Sequence, residues 1–313
     1  MRARERLRVD SVRFPIDGGR LRRQAAIPQH NGWQGGPSGD SHRKRPSQAP
    51  TPLSPTQAVP REGRPPQPPL SACDNQFVDE VLIERPGLVP YGEAWELQQR
   101  LEAARQADEI PDVLLLLEHP PVYTKGKRTD PTELGMGEDW YRMQGIEVTE
   151  TDRGGRVTYH GPGQLVGYPI VSLRPYGDNV HEYVRKLERL MIDSLGSFGI
   201  EAEVIDGLTG VWVGGRPPDG RKIGSIGVHV SRGVTTHGFA VNVNNDLQPF
   251  EWIVPCGIDG VRMTSVCREL GAEQDMSDYM ELVARRFGEI FEREPVPPGE
   301  RLAGLTGATA PVR

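Results

Sequence analysis

Three stretches of the chain repeat apolar residues at the spacing of an amphipathic helix. Apolar side chains recur every three or four residues through Tyr91–Ala107, Val180–Leu195 and Asp278–Phe291. This period gathers them on one side of a helix, which must then pack against another element. A shorter helix is predicted from Trp140 onward, passing into a strand that ends at Thr149.

Shorter apolar runs between these helices predict strands. Val113–Leu117 is continuously apolar, which is typical of a strand buried on both faces. We expect Arg85-Pro86-Gly87 to end the first strand. Because strands and helices do not alternate strictly, the pattern favours an α+β fold with a mixed β-sheet core flanked by helices. The predicted strands are Phe77–Glu84, Val113–Leu117, Leu165–Leu173, Ala202–Ile205, Gly210–Val213, Lys222–Val230 and Thr235–Asn244.

The beginning of the chain differs in composition from the rest. Residues 1–75 carry 13 Lys and Arg against 6 Asp and Glu, whereas residues 76–313 carry 24 against 37. The first segment is rich in Pro, Arg, Gln, Ser and Gly, and it has too little apolar surface to offset the entropy of ordering it. We predict a disordered extension over 1–75, a folded domain over 76–295 and a loose Pro- and Gly-rich tail over 296–313. The extension is interpreted as a tail without function; a tether, a transit peptide or translation from an upstream start also fits its composition.

Charge and cysteine content argue against several classes of protein. The acidic body speaks against nucleic acid as a partner. The three cysteines, Cys73, Cys256 and Cys267, give neither a disulfide framework nor the paired spacing of a zinc site. We therefore expect a reduced, cytoplasmic setting. No apolar run approaches the ~20 residues of a membrane span, and no apolar segment of a secretory signal follows the charged N-terminus.

Glycine and proline are concentrated in Arg153–Ile170, RGGRVTYHGPGQLVGYPI. Glycine lets a backbone approach another backbone or a ligand closely, because it has no Cβ. Loops of this composition are mostly surface turns, but this one also contains Arg153, Tyr159, His160 and Gln164. Polar groups on such a glycine scaffold predict a functional site.

Cys256 and Lys222 are candidates for the chemistry itself. Cys256 stands between Pro255 and Gly257, which favour an exposed turn, whereas Cys267 at a predicted helix start fits a small core residue. A cysteine nucleophile needs a lowered pKa, which a nearby cation supplies. Lys222 begins a strand of small and apolar residues and can provide that cation.

The other polar motifs argue against metal and nucleotide sites. His119, His160 and His237 each stand at a strand–loop junction, yet no two have the close spacing of a helical zinc motif. The chain has no GxxxxGK[ST] loop for a nucleotide phosphate. Gly161-Pro162-Gly163 lacks the spacing and the following helix of a dinucleotide-binding fingerprint.

Eight motifs follow one another in an order and at spacings that chance would not produce. They are Tyr91–Trp95, Leu117–Thr124, Arg153–Ile170, Thr209–Val213, Lys222–Val230, Thr236–Asn244, Asp246–Leu247 and Ile253–Ile258. Together they resemble the lipoyl(octanoyl) transferases, the octanoyltransferases of lipoate biosynthesis. The resemblance extends from about Val89 to Leu270, which is over half of the chain.

This resemblance implies a fold similar to the catalytic domain of biotin and lipoate protein ligases, with the octanoyltransferase domain over residues 76–295. It implies transfer of octanoyl from octanoyl-acyl carrier protein to a lysine ε-amine of lipoyl domains, the first step of endogenous protein lipoylation. The acceptors would be lipoyl domains of 2-oxoacid dehydrogenase complexes and the glycine cleavage H protein. No metal and no separate cofactor are expected, because the acyl group arrives on the phosphopantetheine arm of the carrier.

The resemblance also assigns roles to particular residues. Cys256 would carry the acyl thioester, and Lys222 would lower the pKa of its thiol. The turn Arg216–Arg221, directly before Lys222, departs from the family pattern. Val157, Leu165 and Phe239 are guesses for the acyl-chain tunnel. The residues expected to contact substrate are Arg153, Gly154, Gly155, Arg156, Val157, Thr158, Tyr159, His160, Ser225, Ile226, Gly227, Gly238, Phe239 and Ala240.

Three other functions remain open at this point. An ATP-dependent lipoate or biotin protein ligase could share the fold, and it would need no cysteine nucleophile. A Cys–His thioester hydrolase could use Cys256 with His160 or His237, and it would release free fatty acid. In a binding module without catalysis, Cys256 would be a core residue inert to alkylation.

Overall fold

The chain is described from a computed structural model that covers residues 80–253 and 261–306. The predicted extension 1–75, the beginning of the first predicted strand at Phe77, and Cys256 lie outside the described residues. Over the two described ranges, none of the helices has the length and apolar character needed to cross a membrane.

A nine-stranded mixed sheet forms the centre of the described part of the chain. Its strands are β1 (Glu80–Leu88), β2 (Asp112–Glu118), β6 (Gln164–Ile170), β7 (Ala202–Ile205), β8 (Leu208–Val213), β9 (Arg221–Ser231), β10 (Val234–Asn242), β11 (Arg262–Met263) and β12 (Glu294–Val296). Eight of them follow the order β12-β1-β2-β6-β10-β9-β8-β7, and β11 pairs with β9. The pairs β12–β1, β1–β2 and β11–β9 are parallel, and the other neighbours are antiparallel.

A second, three-stranded sheet lies beside the chain's glycine-rich stretch. It consists of β3 (Val122–Lys125), β4 (Glu147–Glu150) and β5 (Thr158–His160). The central strand β3 runs parallel to β4 and antiparallel to β5. This small sheet places the two ends of residues 151–157 on either side of β3.

Six α-helices and four short 3₁₀ segments complete the described part of the chain. The helices are α1 (Tyr91–Gln106), α2 (Glu138–Met143), α3 (Val180–Gly196), α4 (Val266–Leu270), α5 (Met276–Phe291) and α6 (Ala303–Thr306). The side chains of Asn179 and Asp275 cap α3 and α5 by accepting hydrogen bonds from backbone N–H groups of the first turn. The 3₁₀ segments are Pro131–Glu133, Arg174–Tyr176, Gln248–Trp252 and Gly299–Leu302.

The large sheet is buried on both faces by helices. Leu115 of β2 packs in one core cluster with Leu101 of α1, whereas its neighbour Leu114 packs in another with Leu187 of α3 and Phe287 of α5. Successive side chains of a strand point to opposite faces. The continuous apolar run of β2 therefore serves both clusters, which confirms its prediction as a doubly buried strand.

Two parts of the chain differ from the sequence-based expectation. β1 continues through Arg85–Leu88 instead of ending there, because after an irregularity at Glu84 the strand resumes pairing at Gly87 with Leu117 of β2. The C-terminal segment was expected to be loose from residue 296, but residues 299–306 form helical turns. Leu302 is buried there with the α1 cluster, which explains why these turns are ordered.

Candidate active site

A cavity of about 400 Å³ opens where the glycine-rich stretch, β5, β9 and β10 meet. Of the fourteen predicted substrate contacts, thirteen line it, and so does Lys222. The lining segments come from three separate parts of the chain. Two of them are the paired strands β9 and β10, in which Ser225 lies opposite Ala240 and Gly227 opposite Gly238. The fold thus brings together residues that the sequence motifs identified separately.

Tyr159 is the predicted contact that does not line this cavity. It lies between Thr158 and His160 in β5, so its side chain points to the other face of the small sheet. There its ring packs 5.5 Å from the ring of Tyr123 and 5.4 Å from that of Phe250. We therefore assign Tyr159 to the core. Of the tunnel guesses, Val157 and Phe239 line the cavity, whereas Leu165 belongs to the core cluster of α3 and α5.

Glycine at position 227 allows the glycine-rich stretch to dock on β9. A Cβ there would lie 3.1 Å from the carbonyl oxygen of Gly154 and 3.1 Å from Cδ of Arg153. The backbone N–H of Gly154 donates to the carbonyl of Val228 at 2.9 Å, directly beside it. A larger residue would therefore require the stretch to shift by a few tenths of an ångström from the strand.

Both arginines of the stretch are held by the protein itself. The buried guanidinium of Arg153 donates to the carbonyl of Thr124 at 2.6 Å and to its hydroxyl at 2.7 Å. Arg156 forms a close ion pair with Glu133, a carboxylate that also accepts the backbone N–H of Val157. Both guanidinium groups therefore stabilise the cavity wall by these contacts, and both residues also line the cavity.

Lys222 is buried in β9, with 3% of its surface exposed. Its ammonium lies 5.5 Å from the ring centroid of Trp212. Its backbone carbonyl accepts a hydrogen bond from Thr264 at 2.9 Å, and β11 pairs Met263 with it. Arg262 of β11 donates a hydrogen bond to the backbone carbonyl of Asp219, in the turn before Lys222. This contact holds the turn, which departs from the family pattern, against β11. Lys222 stays buried beside it.

Cys256, the other predicted reactive residue, lies outside the described residues. Seven positions after it in sequence, Met263 pairs with Lys222. The described residues contain no cluster of three or more His, Cys, Asp or Glu suited to a metal ion. Cys267, at the beginning of α4, is half-buried, which fits its interpretation as a packing residue.

His160 is held in one tautomer by a buried polar chain. The amide nitrogen of Gln164 donates to the side-chain oxygen of Asn242 at 2.9 Å. The amide oxygen of Gln164, 2.7 Å from Nδ1 of His160, must therefore accept a hydrogen bond from that ring nitrogen. Nε2 therefore carries a lone pair. Burial lowers the pKa of His160 well below its ordinary value. Asn242 in turn donates to the carbonyl of Thr264 at 2.9 Å, which links this histidine to the segment beside Lys222.

His119 belongs to the structure around the cavity. Its Nδ1 donates to the carbonyl of Val89 at 2.6 Å, and the hydroxyl of Tyr168 donates to its Nε2 at 2.7 Å. Burial lowers its pKa to about 4. Both ring nitrogens are thus used by the protein, and the imidazole is neutral.

Three further residues form a hydrogen-bonded group that the sequence motifs did not assign to the site. Nε2 of His237 lies 2.6 Å from a carboxylate oxygen of Asp152, and its Nδ1 lies 3.3 Å from the hydroxyl of Tyr91. Tyr91 and His237 line the cavity. The sequence gives only a weak indication for each of them. Tyr91 begins one of the eight motifs, His237 stands at a strand–loop junction, and Asp152 directly precedes Arg153. Their association depends on the fold, because they come from α1, a loop and β10.

The chain is similar to known proteins over most of its described residues. A model of the lipoyl protein ligase A/B catalytic domain matches residues 90–288. The curated octanoyltransferase of Rubrobacter xylanophilus is 49% identical over 208 residues, which is 66% of this chain and 91% of that protein.

Solved structures of lipoate protein ligases share the fold. Lipoate-protein ligase A bound with ATP superposes with a TM-score of 0.56 at 16% identity, over 73% of this chain and 92% of that one. A bipartite lipoate protein ligase from Thermoplasma acidophilum, studied with its E2 lipoyl domain, gives a TM-score of 0.54 at 16% identity, over 73% and 91%. These likenesses confirm the predicted fold class, a mixed sheet flanked by helices as in this catalytic domain.

Proposed function

Since the chain belongs to the octanoyltransferase family and is an acyltransferase of that type, we propose that it takes octanoyl from octanoyl-acyl carrier protein. The acceptor is a lysine ε-amine on lipoyl domains of 2-oxoacid dehydrogenase complexes and of the glycine cleavage H protein. The acyl group passes through a thioester on Cys256, and Lys222 lowers the pKa of the Cys256 thiol. No metal and no further cofactor takes part in this proposal.

The cavity carries the proposal. One cavity of about 400 Å³ is lined both by Lys222 and by thirteen of the predicted substrate contacts. Its volume lies within the range of small-ligand pockets. Apolar side chains such as Val157, Val166 and Phe239 line part of it, and each buried methylene of an acyl chain contributes about 0.8 kcal/mol.

In the first step a thiolate attacks the carrier thioester. A free thiol with a pKa of about 8.5 is only a few per cent ionised at neutral pH. A Lys222 ammonium close to the sulfur would favour the thiolate electrostatically. One thioester is exchanged for another, so the step is nearly isoenergetic, and the ammonium can protonate the departing thiol of the phosphopantetheine arm.

In the second step the lysine amine attacks the enzyme-bound thioester. The carbon–sulfur bond breaks, and its electron pair leaves with the cysteine sulfur. Lys222, neutral after the first step, is one acceptor for the amine proton. Backbone N–H groups at Gly257 or in the glycine-rich stretch would stabilise the oxyanion. Forming an amide from a thioester is downhill, so this route needs no ATP.

The test is the intact mass of the protein after incubation with octanoyl-acyl carrier protein in the absence of ATP. We expect a gain of one octanoyl group that hydroxylamine removes, and no gain in Cys256→Ser. Addition of a lipoyl domain should then discharge the group onto its lysine. Octanoylation by Cys256→Ser at the wild-type rate would rule out the covalent intermediate.

Two other outcomes identify the rival functions. Acylation of the lipoyl domain that occurs only with free acid and ATP would identify a ligase. Free octanoate as the main product in the presence of lipoyl domain would identify a thioester hydrolase.

A further inference from the structure

The orientation of the His237 ring is determined by its two hydrogen bonds. A carboxylate only accepts, so the 2.6 Å contact with Asp152 requires a proton on Nε2. In the neutral ring Nδ1 then carries a lone pair, to which the Tyr91 hydroxyl, 3.3 Å away, can donate. The oxygen of Tyr91, in the cavity wall, also interacts with the side-chain hydroxyl of Thr151, and its remaining lone pair can accept from a further donor.

The backbone at His237 is strained. Its φ is +55° within β10, a region that residues other than glycine rarely adopt. The conformation is held because the backbone N–H of His237 donates to the buried side chain of Gln98 at 2.7 Å. A strained, buried histidine in a cavity wall is expected where its position has a use.

We propose that Tyr91, His237 and Asp152 form a proton relay for the amine that attacks the enzyme-bound thioester. As the amine nitrogen bonds to the acyl carbon, its proton passes to the oxygen of Tyr91 while the proton of Tyr91 passes to Nδ1 of His237. The carbon–sulfur bond breaks, and the sulfur leaves as a thiolate. Asp152 stabilises the imidazolium, which afterwards returns its proton to solvent. The relay rests on the proposed function and gives the amine proton an acceptor other than Lys222.

The surrounding charges suit this direction of transfer. Burial raises the pKa of Tyr91 and lowers that of His237, and the nearby charge of Arg153 acts to lower both. Such a cation also disfavours the protonated form of an incoming amine. The ring of His160 stacks on that of Tyr91 with centroids 6.2 Å apart. Asp152 is 41% exposed and lies 3.5 Å from His229, so the far end of the relay meets solvent.

The two half-reactions separate the relay from a structural role. The enzyme is first loaded from octanoyl-acyl carrier protein, the donor is removed, and a lipoyl domain is added while intact mass follows loss of the octanoyl group. For Tyr91→Phe we expect loading within about twofold of wild type and discharge slower by about 100-fold, the scale of general acid–base catalysis. Tyr176→Phe is the matched control, because that hydroxyl donates to the backbone of Phe291 in the core, away from the cavity. It should leave both rates unchanged.

Each possible result decides the matter. Discharge of Tyr91→Phe at the wild-type rate would overturn the relay alone, and so would equal losses in loading and discharge, since Tyr91 would then act in both steps. A wild-type protein that never loads would overturn the proposed function, and the relay with it. If Tyr91→Phe does not fold, Asp152→Asn at the exposed end of the relay is measured in the same way.

Discussion

Two tyrosines of the cavity wall each bond to a buried histidine, but the far side of each imidazole differs. Tyr168 donates to His119, whose other nitrogen donates to the backbone carbonyl of Val89. Tyr91 faces His237, whose other nitrogen donates to the carboxylate of Asp152. The Tyr168–His119 pair is thus hydrogen-bonded to a neutral carbonyl, and the Tyr91–His237 pair to a charged carboxylate.

This difference decides whether the histidine can take up a proton. A carbonyl carries no charge to compensate an imidazolium, and burial holds the pKa of His119 at about 4. Burial also lowers the pKa of His237, but the hydrogen bond and the charge of Asp152 oppose it. The same two residue types are therefore a fixed support in one place and a candidate relay in the other.

Asp152→Asn should have the largest effect on the reaction. It replaces the carboxylate beside His237 with a neutral amide, so that His237, like His119, is hydrogen-bonded to a neutral group. The amide oxygen can still accept from Nε2, so the ring keeps its tautomer, but the imidazolium loses its counter-charge. We expect discharge of the octanoyl group to a lipoyl domain to slow by about 100-fold in single-turnover measurements. Loading should be unaffected.

The control is Asp139→Asn on α2, where an exposed carboxylate pairs with Arg142 on the surface. It should behave as wild type in both half-reactions. Discharge by Asp152→Asn at the rate of this control would show that the carboxylate is no more useful to His237 than a carbonyl is to His119.

Sequence patterns predict the large sheet and its main helices because apolar period reports burial directly, as in β2 and α3. The glycine-rich stretch predicts one contiguous part of the cavity wall, whereas the contacts on β9 and β10 are implied only by the family resemblance. Sequence patterns miss the Tyr91–His237–Asp152 group, because a hydrogen bond between residues distant in the chain leaves no periodic trace. They group Tyr159 with the residues of the cavity wall, whereas strand alternation turns its side chain to the other face of β5.

His119→Gln should change how stability depends on pH. The folded-state pKa of His119 is about 4 against an ordinary 6.5, so the unfolded chain binds the proton more readily. Its contribution is fully present above about pH 6.5 and is lost as the pH falls toward 4. Between pH 7 and pH 5 this amounts to about 2 kcal/mol. Denaturant unfolding at the two pH values should show a loss smaller by that amount in His119→Gln than in wild type.

The exposed His181 on α3 supplies the comparison for that measurement. His181→Gln should retain the wild-type difference between pH 7 and pH 5. If His119→Gln retained it as well, the imidazole of His119 would not be the neutral support described above, and the contrast with His237 would weaken.

The smallest effect separates the two tyrosines by stability. Tyr168→Phe removes a 2.7 Å hydrogen bond to His119, and we expect it to cost about 1 kcal/mol in the free energy of unfolding. Tyr91→Phe removes a longer contact of 3.3 Å, so it should cost less. Denaturant unfolding of both variants at pH 7 gives the ranking. Tyr168→Phe should thus be the less stable variant, and Tyr91→Phe should be the slower in discharge of the octanoyl group. If one variant were both less stable and slower in discharge, the two tyrosine–histidine pairs would not have the separate roles described above.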